Sequence, residues 1–497
     1  MMDFLDPKKR HVHTIKLVTG YVLVAIAVIL STKLLLYAAY GYGLHKGQVI
    51  QNGLIFVSST PSGSQVRLNG QRNGSTGERL TLEAGTYTMK IQRNGYRTWQ
   101  RAVTVEGGTV EHFDYPFLFP INLTTTTTKT YPKAPSLATQ SPDRRWLLIE
   151  QPGSLTDFDL YDLKNPKSVK ISTISLPAGL LTASTAKQSL KLVDWSNDNR
   201  HVLLKHVFGG SYEYILVDTQ SSSQSVNLSK NLSLNSRAQL TLQNDAYNHY
   251  FVFDTKAETL GTVTLGSLDA TPLLQHVLAY NTYGTNIVLY ATDQNAPSGQ
   301  TKIMLHQNNQ SYFIRDVSRA KTYLLNLTQY SGSWFVAAGS PSENSVYVYK
   351  NPVSALSQNP GEGLAPITVL RVDDPNYLEF SANAQFIMAE HANQFAVYDD
   401  EYDKTYAYTA NAHFDAPQPH AVWMDGDRIN YVSGGKLVAF DYDSTNFQTL
   451  MAANPHYVPF FGQNYRYVYA LAQQSATAKT AASTQLTSTA LLTPADQ

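Results

Sequence analysis

The hydrophobic and polar positions along the chain fall into three regimes. The first is a single apolar run. Residues 15–32 read IKLVTGYVLVAIAVILST, Lys33 interrupts, and LLLYAAYGYG follows. A helix rising 1.5 Å per residue needs about 20 apolar residues to cross the hydrocarbon layer. Leu17 to Tyr40 supplies that span if Lys33 snorkels at the outer end. A transmembrane helix is predicted over 15–42, with Tyr37, Tyr40 and Tyr42 as an interfacial belt. The run exceeds the ~7–15-residue core of a signal peptide and no small-x-small cleavage site follows it, so it reads as an anchor.

In the second regime, residues 50–118, short strands alternate with glycine turns. GLIFVSS and SQVRLNG are strands, Asn69-Gly70, Asn73-Gly74 and Asn94-Gly95 are turn pairs able to take positive φ, and TYTMKIQRNGY alternates with Tyr87, Met89 and Ile91 on one face. This predicts a small β-sandwich of five to seven strands. Residues 119–135 contain LTTTTTKTYPKAP. Threonines favour extended chain and the prolines exclude regular pairing, so the segment is expected to be a linker.

The third regime, residues 136–492, carries two recurring signatures. One is a turn before a hydrophobic strand, starting at Ser141, Ser196, Ser381 and Met424. The other is a strand ending in Asp: FDLYD at Asp162, EYILVD at Asp218, YFVFD at Asp254, FAVYD at Asp399 and LVAFD at Asp441. VYVYK at Lys350 is a degenerate copy, IMLHQ near His306 fills a gap, and QLTSTALL near Leu486 sits where one more unit falls. A period of roughly 40–50 residues with several strands per unit predicts a β-propeller of seven to eight blades. The fold class is therefore all-β after one N-terminal helix.

Charge sets the orientation. Lys8, Lys9, Arg10 and Lys16 flank the apolar run on one side, against Lys46 on the other. The positive-inside rule places a basic tail, residues 1–14, in the cytoplasm and the rest outside. Over the whole chain, 38 basic residues balance 38 acidic ones, so no global field points to nucleic acid. There is no cysteine, which excludes disulfides, thiolate metal sites and Cys nucleophiles.

Candidate chemistry is sparse. Gly-x-Ser-x-Gly, H-E-x-x-H, the P-loop and G-x-G-x-x-G do not occur. Asp441 and Asp443 mimic the start of a calcium loop, but Thr445 and Asn446 stand where a third ligand and the loop glycine belong. Turn capping is the simpler role for these aspartates and for Asp399-Asp400-Glu401-Tyr402-Asp403. No cofactor is expected. Tyr280, Tyr283, Tyr330 and Trp334 flank Gly/Ser turns and are the candidate binding aromatics, with core packing as the alternative.

Two resemblances add to this. Ser59-Thr60-Pro61-Ser62-Gly63-Ser64, Val66-Arg67-Leu68-Asn69-Gly70, Gly85-Thr86-Tyr87 and Gly95-Tyr96 resemble a PEGA domain, with Ser62 and Ser64 replacing the Glu and Ala of the naming tetrapeptide. Ser141-Pro142-Asp143 and its weaker copies resemble the WD40-like repeats of the TolB and oligopeptidase propellers. The combination looks like a group of bacterial envelope proteins. It implies a non-catalytic, extracytoplasmic binding or scaffolding protein, tethered by its helix, whose propeller meets a protein, a peptide or a cell-wall polymer. A lyase or hydrolase with carboxylates in the central channel is a second reading, and a single-pass sensor is a third.

Overall fold

The computed structural model describes residues 7–39, 42–45, 48–267, 270–358, 364–410, 413–418, 420–476 and 481–496. The chain divides into two compact units, with the boundary at Ile121/Asn122.

In the first unit, Pro7–Ala39 is one helix. Its segment His11–Tyr37 is long and apolar enough to cross a membrane, with a mean hydropathy of 2.1. The helix therefore begins inside the stretch expected to be a tail and runs unbroken through Lys33. Tyr42 does not extend it. It opens the strand Tyr42–His45, which pairs with Gln48–Val57, and its ring meets Tyr37 edge-on at 5.3 Å. Tyr40 lies outside the described residues, as do the side chains of Lys8, Lys9 and Arg10.

Residues 48–113 build two sheets. In one, Gln48–Val57 pairs with Arg79–Glu83 and, in parallel, with Val110–Phe113. The other runs Gln71–Ser75, Gln65–Leu68, Gly85–Gln92, Trp99–Val105. Met89 and Ile91 are fully buried, as their alternation requires, whereas Tyr87 is only half-buried. Asn69 and Gly70 both take positive φ, the geometry that closes a tight hairpin. Asn73-Gly74 is not a turn but lies inside a strand. Ser64 bonds through its hydroxyl to Pro61 O at 2.8 Å and through its amide to Thr76 Oγ1 at 3.0 Å, so a serine at this position tightens the turn.

The second unit consists of eight consecutive four-stranded antiparallel sheets. Blades 1 to 7 span 138–175, 188–227, 238–274, 279–318, 324–371, 377–409 and 422–452. Their first strands are innermost, since those of blades 4, 5 and 6 lie side by side. Side chains stitch several inner strands to their neighbours: Trp195 Nε1 donates to Thr139 Oγ1 at 2.8 Å, Asn281 Nδ2 to Leu325 O at 2.8 Å, and Asn326 Nδ2 to Leu378 O at 3.1 Å. Apolar layers fill the spaces between blades. One of them, with Leu147, Ile149 and Tyr161 against Phe460, Tyr469 and Leu471, joins blade 8 to blade 1 and closes the ring.

Blade 8 corrects the expected linker. Its strands are Phe460–Phe461, Tyr467–Gln474 and Ser483–Ala490, and its outermost strand is Thr125–Tyr131. The threonine run pairs because it is β-prone and sits at an edge, and because Pro132 and Pro135 come after it rather than within it.

The repeat register is corrected too. Asp162, Asp218, Asp399 and Asp441 all end third strands, but Asp254 ends the second strand of blade 3. The equivalent position there is Thr264, at the end of Thr259–Thr264. With that shift the third strands end at 162, 218, 264, 307, 350, 399, 441 and 490, which evens out the spacing.

The two sequence signatures are halves of one fastening. The turn between first and second strands and the end of the third strand lie at the same end of a blade. Arg145 grips Asp162 with two bonds (2.9 and 2.8 Å), Arg200 grips Asp218 (2.7 and 2.5 Å), and Gln385 reaches Asp399 at 3.1 Å. Within the turns, Arg144, Asn199 and Ala384 adopt positive φ, where glycine is at ease and an L side chain costs ~1–2 kcal/mol. Ala384→Gly is therefore expected to raise stability by about 0.5–1 kcal/mol, after glycine's greater unfolded-state entropy is subtracted. The denaturant midpoint measures this, and a lower midpoint would contradict the left-handed assignment.

Candidate functional site

The end of the propeller that carries these fastened turns, here called the turn face, holds a small pocket of about 60 Å³ between blades 4 and 5. Its walls are Ile287 and Leu305 from blade 4 and Leu327, Trp334 and Val336 from blade 5, with Pro352 and Val353 at the start of the helix Pro352–Gln358. Gln307 and Asn351 are polar groups at its lining. Asn351, at positive φ, bridges the site: its Oδ1 accepts from Trp334 N at 2.8 Å and its own amide donates to Trp334 O at 2.7 Å. Tyr283 stands edge-on against Trp334, with centroids 5.0 Å apart and planes at 87°, and is 39% exposed. The result is a rigid aromatic rim over an apolar hole, suited to an apolar side chain.

Of the four predicted aromatics, Tyr283 and Trp334 are thus brought together. Tyr280 lies three residues earlier on the same strand and therefore on the other side of the sheet. There its ring packs against Phe253 at 5.4 Å and its hydroxyl meets Thr241 at 3.0 Å, joining blades 3 and 4. Burial raises the pKa of that hydroxyl. Tyr330 ends its strand near blade 6 and reaches Glu401 Oε2 at 3.4 Å. Asp441 and Asp443 cap their turn. Asp441 Oδ2 accepts from Asn446 Nδ2 at 2.9 Å and Asp443 Oδ1 from Thr445 Oγ1 at 2.6 Å. Among the described residues no group of three or more His, Asp or Glu is placed to hold a metal. Lys16 is exposed on its helix.

Several buried carboxyls were not legible as a set. Glu379, on the inner strand of blade 6, is pushed up to about 7 by burial, and its Oε2 has no hydrogen-bond partner. Glu390 accepts from the Ala421 amide with both oxygens at 3.0 Å, tying blade 6 to blade 7, and burial raises its pKa well above the ordinary value. Glu150, on the second strand of blade 1, is likewise raised to about 7 by burial, and its Oε2 has no hydrogen-bond partner. A raised carboxyl contributes stability that is complete below its unfolded pKa and is lost as pH rises through its folded one. Glu150→Gln should therefore match the parent near pH 4 and exceed it by ~2 kcal/mol at pH 8. Thermal melts at the two pH values test this, and an equal difference at both would remove burial as the cause.

A small β-sandwich followed by a closed eight-bladed propeller defines the class of protein. Residues 52–118 match the model of the PEGA domain. Solved structures similar to this chain are β-propellers. One is the Dos1 propeller, 12% identical, with 74% of this chain and 94% of that one covered and a TM-score of 0.45. Another is an oligogalacturonate lyase in complex with manganese, 10% identical, with 75% and 98% covered and a TM-score of 0.37. A third is Hsv2 of Kluyveromyces lactis, 11% identical, with 72% and 98% covered and a TM-score of 0.37. No match was found among curated proteins.

Proposed function

We propose that this protein is a non-catalytic binding head of the bacterial cell envelope, tethered by its N-terminal helix, with the basic flank in the cytoplasm and both β units outside. The observation that carries the reading is the apolar pocket rimmed by Tyr283 and Trp334 on the turn face. The PEGA domain, next in the chain after the helix, acts as a spacer.

Crosslinking the tagged full chain in intact cells and comparing it with Trp334→Ala tests the binding role. A protein partner enriched by the parent at least tenfold over the variant is expected. Identical recoveries from parent and variant, or none above an untagged control, would sink the idea. Protease added to intact cells or spheroplasts tests the orientation. Digestion of the propeller with the N-terminal tail protected is expected, and the reverse pattern would invert the topology.

A further inference from the structure

Beside the pocket the turn face carries an arc of carboxylates. The third-to-fourth-strand turn of blade 6 exposes Glu401 and Asp403 beside the half-buried Asp400, and the first-to-second-strand turn of blade 7 carries the buried Asp425 and the half-buried Asp427. Asp443 follows on the next turn of the same blade, with Asp399 and Asp441 behind them at strand ends. Topology places all of these at one end of the ring. Cations nearby include Lys350, Arg144, which lies over the Tyr465 ring, and Arg428, which is buried against Asp425 with bonds of 2.8 and 2.5 Å.

The arc is continuous with the pocket. Lys350, adjacent to Asn351 of the pocket lining, reaches Asp400 at 3.4 Å, and Tyr330, on the hairpin that carries Trp334, reaches Glu401. Beneath the arc one buried carboxylate oxygen lacks a partner. Asp399 is 0% exposed, yet its Oδ2 has no hydrogen-bond partner, while its Oδ1 takes Gln385 and the Glu401 amide. Asp427 is raised to about 7 by burial and by repulsion from Asp425, Asp399 and Glu401, against the pull of Arg428.

Resting on the reading of the protein as a binding head, we infer that the turn face binds a basic peptide segment of a partner protein, with one apolar side chain in the Trp334 pocket and lysine or arginine side chains along the exposed Glu401–Asp403 turn. Charge complementarity selects this occupant over a neutral glycan or an acidic chain. The pocket supplies the anchor and the arc supplies steering and register.

Fluorescence anisotropy with the full chain in nanodiscs tests the inference, using four short labelled peptides: Phe anchor with Lys/Arg flanks, Phe anchor with Ser/Gln flanks, Phe anchor with Glu flanks, and Lys/Arg flanks without an anchor. The anchored basic peptide should bind at least tenfold more tightly than each of the others. Its affinity should fall with added salt and drop at least tenfold in Trp334→Ala and in Glu401→Lys/Asp403→Lys, both exposed positions. Tyr283→Ala replaces Trp334→Ala if melting shows the latter to be misfolded. Equal binding of the neutral peptide, or no response to the charge reversals, overturns the inference and leaves the binding-head reading intact. Failure of every peptide while Trp334→Ala still loses its crosslinked partner does the same. Failure of both assays removes the reading itself.

Discussion

Glu213→Ala is expected to lower the unfolding free energy of the propeller by about 3–5 kcal/mol, as removal of one member of a buried charged network does. Glu213 is 4% exposed on the third strand of blade 2. Its carboxylate accepts from Thr182 N and Thr182 Oγ1, both at 2.7 Å, from Asn227 Nδ2 at 2.8 Å, and meets His206 Nδ1 at 2.9 Å. His206 is fully buried, and its Nε2 faces Gln188 Oε1 at 2.9 Å. Thr182 belongs to the connection between blades 1 and 2, so the carboxylate also anchors that loop. Burial alone would raise the pKa of Glu213, but the bonds from Thr182, His206 and Asn227 together outweigh it and hold the group at about 2. The sign follows from that depression. Its stabilisation is present above pH ~4.5 and is lost as pH falls through about 2. Denaturant titrations of parent and variant should differ by the full amount at pH 7 and converge in strong acid. A variant as stable as its parent at pH 7 would mean that the network exerts no net hold.

Asp159→Ala is expected to unfasten the ring at its seam, costing about 3 kcal/mol. Asp159 is 0% exposed on the third strand of blade 1. It accepts from Lys129 Nζ at 2.6 Å, Tyr131 OH at 2.7 Å and Gln151 Nε2 at 2.9 Å. Two of those donors lie on the closing strand Thr125–Tyr131. Tyr131 OH also meets Tyr161 OH at 2.6 Å. The side chain therefore ties the outer strand of blade 8 to the neighbouring blade, in addition to its backbone ladder with Ser483–Ala490. Hydrogen exchange should show the amides of 125–131 losing protection first, before those of blades 3 to 6. Asp157→Ala, two residues away and bonded only within its own blade through Ser154 and Ser175, is the control and should leave the seam unchanged. Uniform loss of protection in both variants would rule out a role specific to the seam.

The legibility of this chain followed the range of the forces involved. The apolar helix and the sandwich could be read because length, alternation and turn chemistry act over a few residues. The repeat could be read because the fastening of Arg145 to Asp162 and Arg200 to Asp218 leaves the same residues at the same ends of blades 1 and 2, with Asp399 and Asp441 repeating half of it in blades 6 and 7. Blade 3 slipped because Asp254 ends a hydrophobic strand just as the true third-strand aspartates do; only strand pairing separates them. The threonine strand was missed because its partner lies some 350 residues later in the chain. The aromatic rim was half legible. Tyr283 and Trp334 flank turns in adjacent blades, and strand parity would have removed Tyr280 had the strand limits been known. Glu213 was invisible because two of its bonds come from Thr182, in a blade connection with no periodicity.

The closing strand has a consequence for how the molecule is made. A ribosome delivers Thr125–Tyr131 ahead of every blade, and its ladder partner, Ser483–Ala490, after nearly all of them. Throughout the synthesis of seven blades this threonine edge waits without its ladder, and the ring stays open at one seam. Contacts this distant in sequence make the last step slow. Any chain that stops short of residue 483 keeps its edge exposed, so truncated products are marked for capture by proteases and chaperones by the very strand that seals the finished ring.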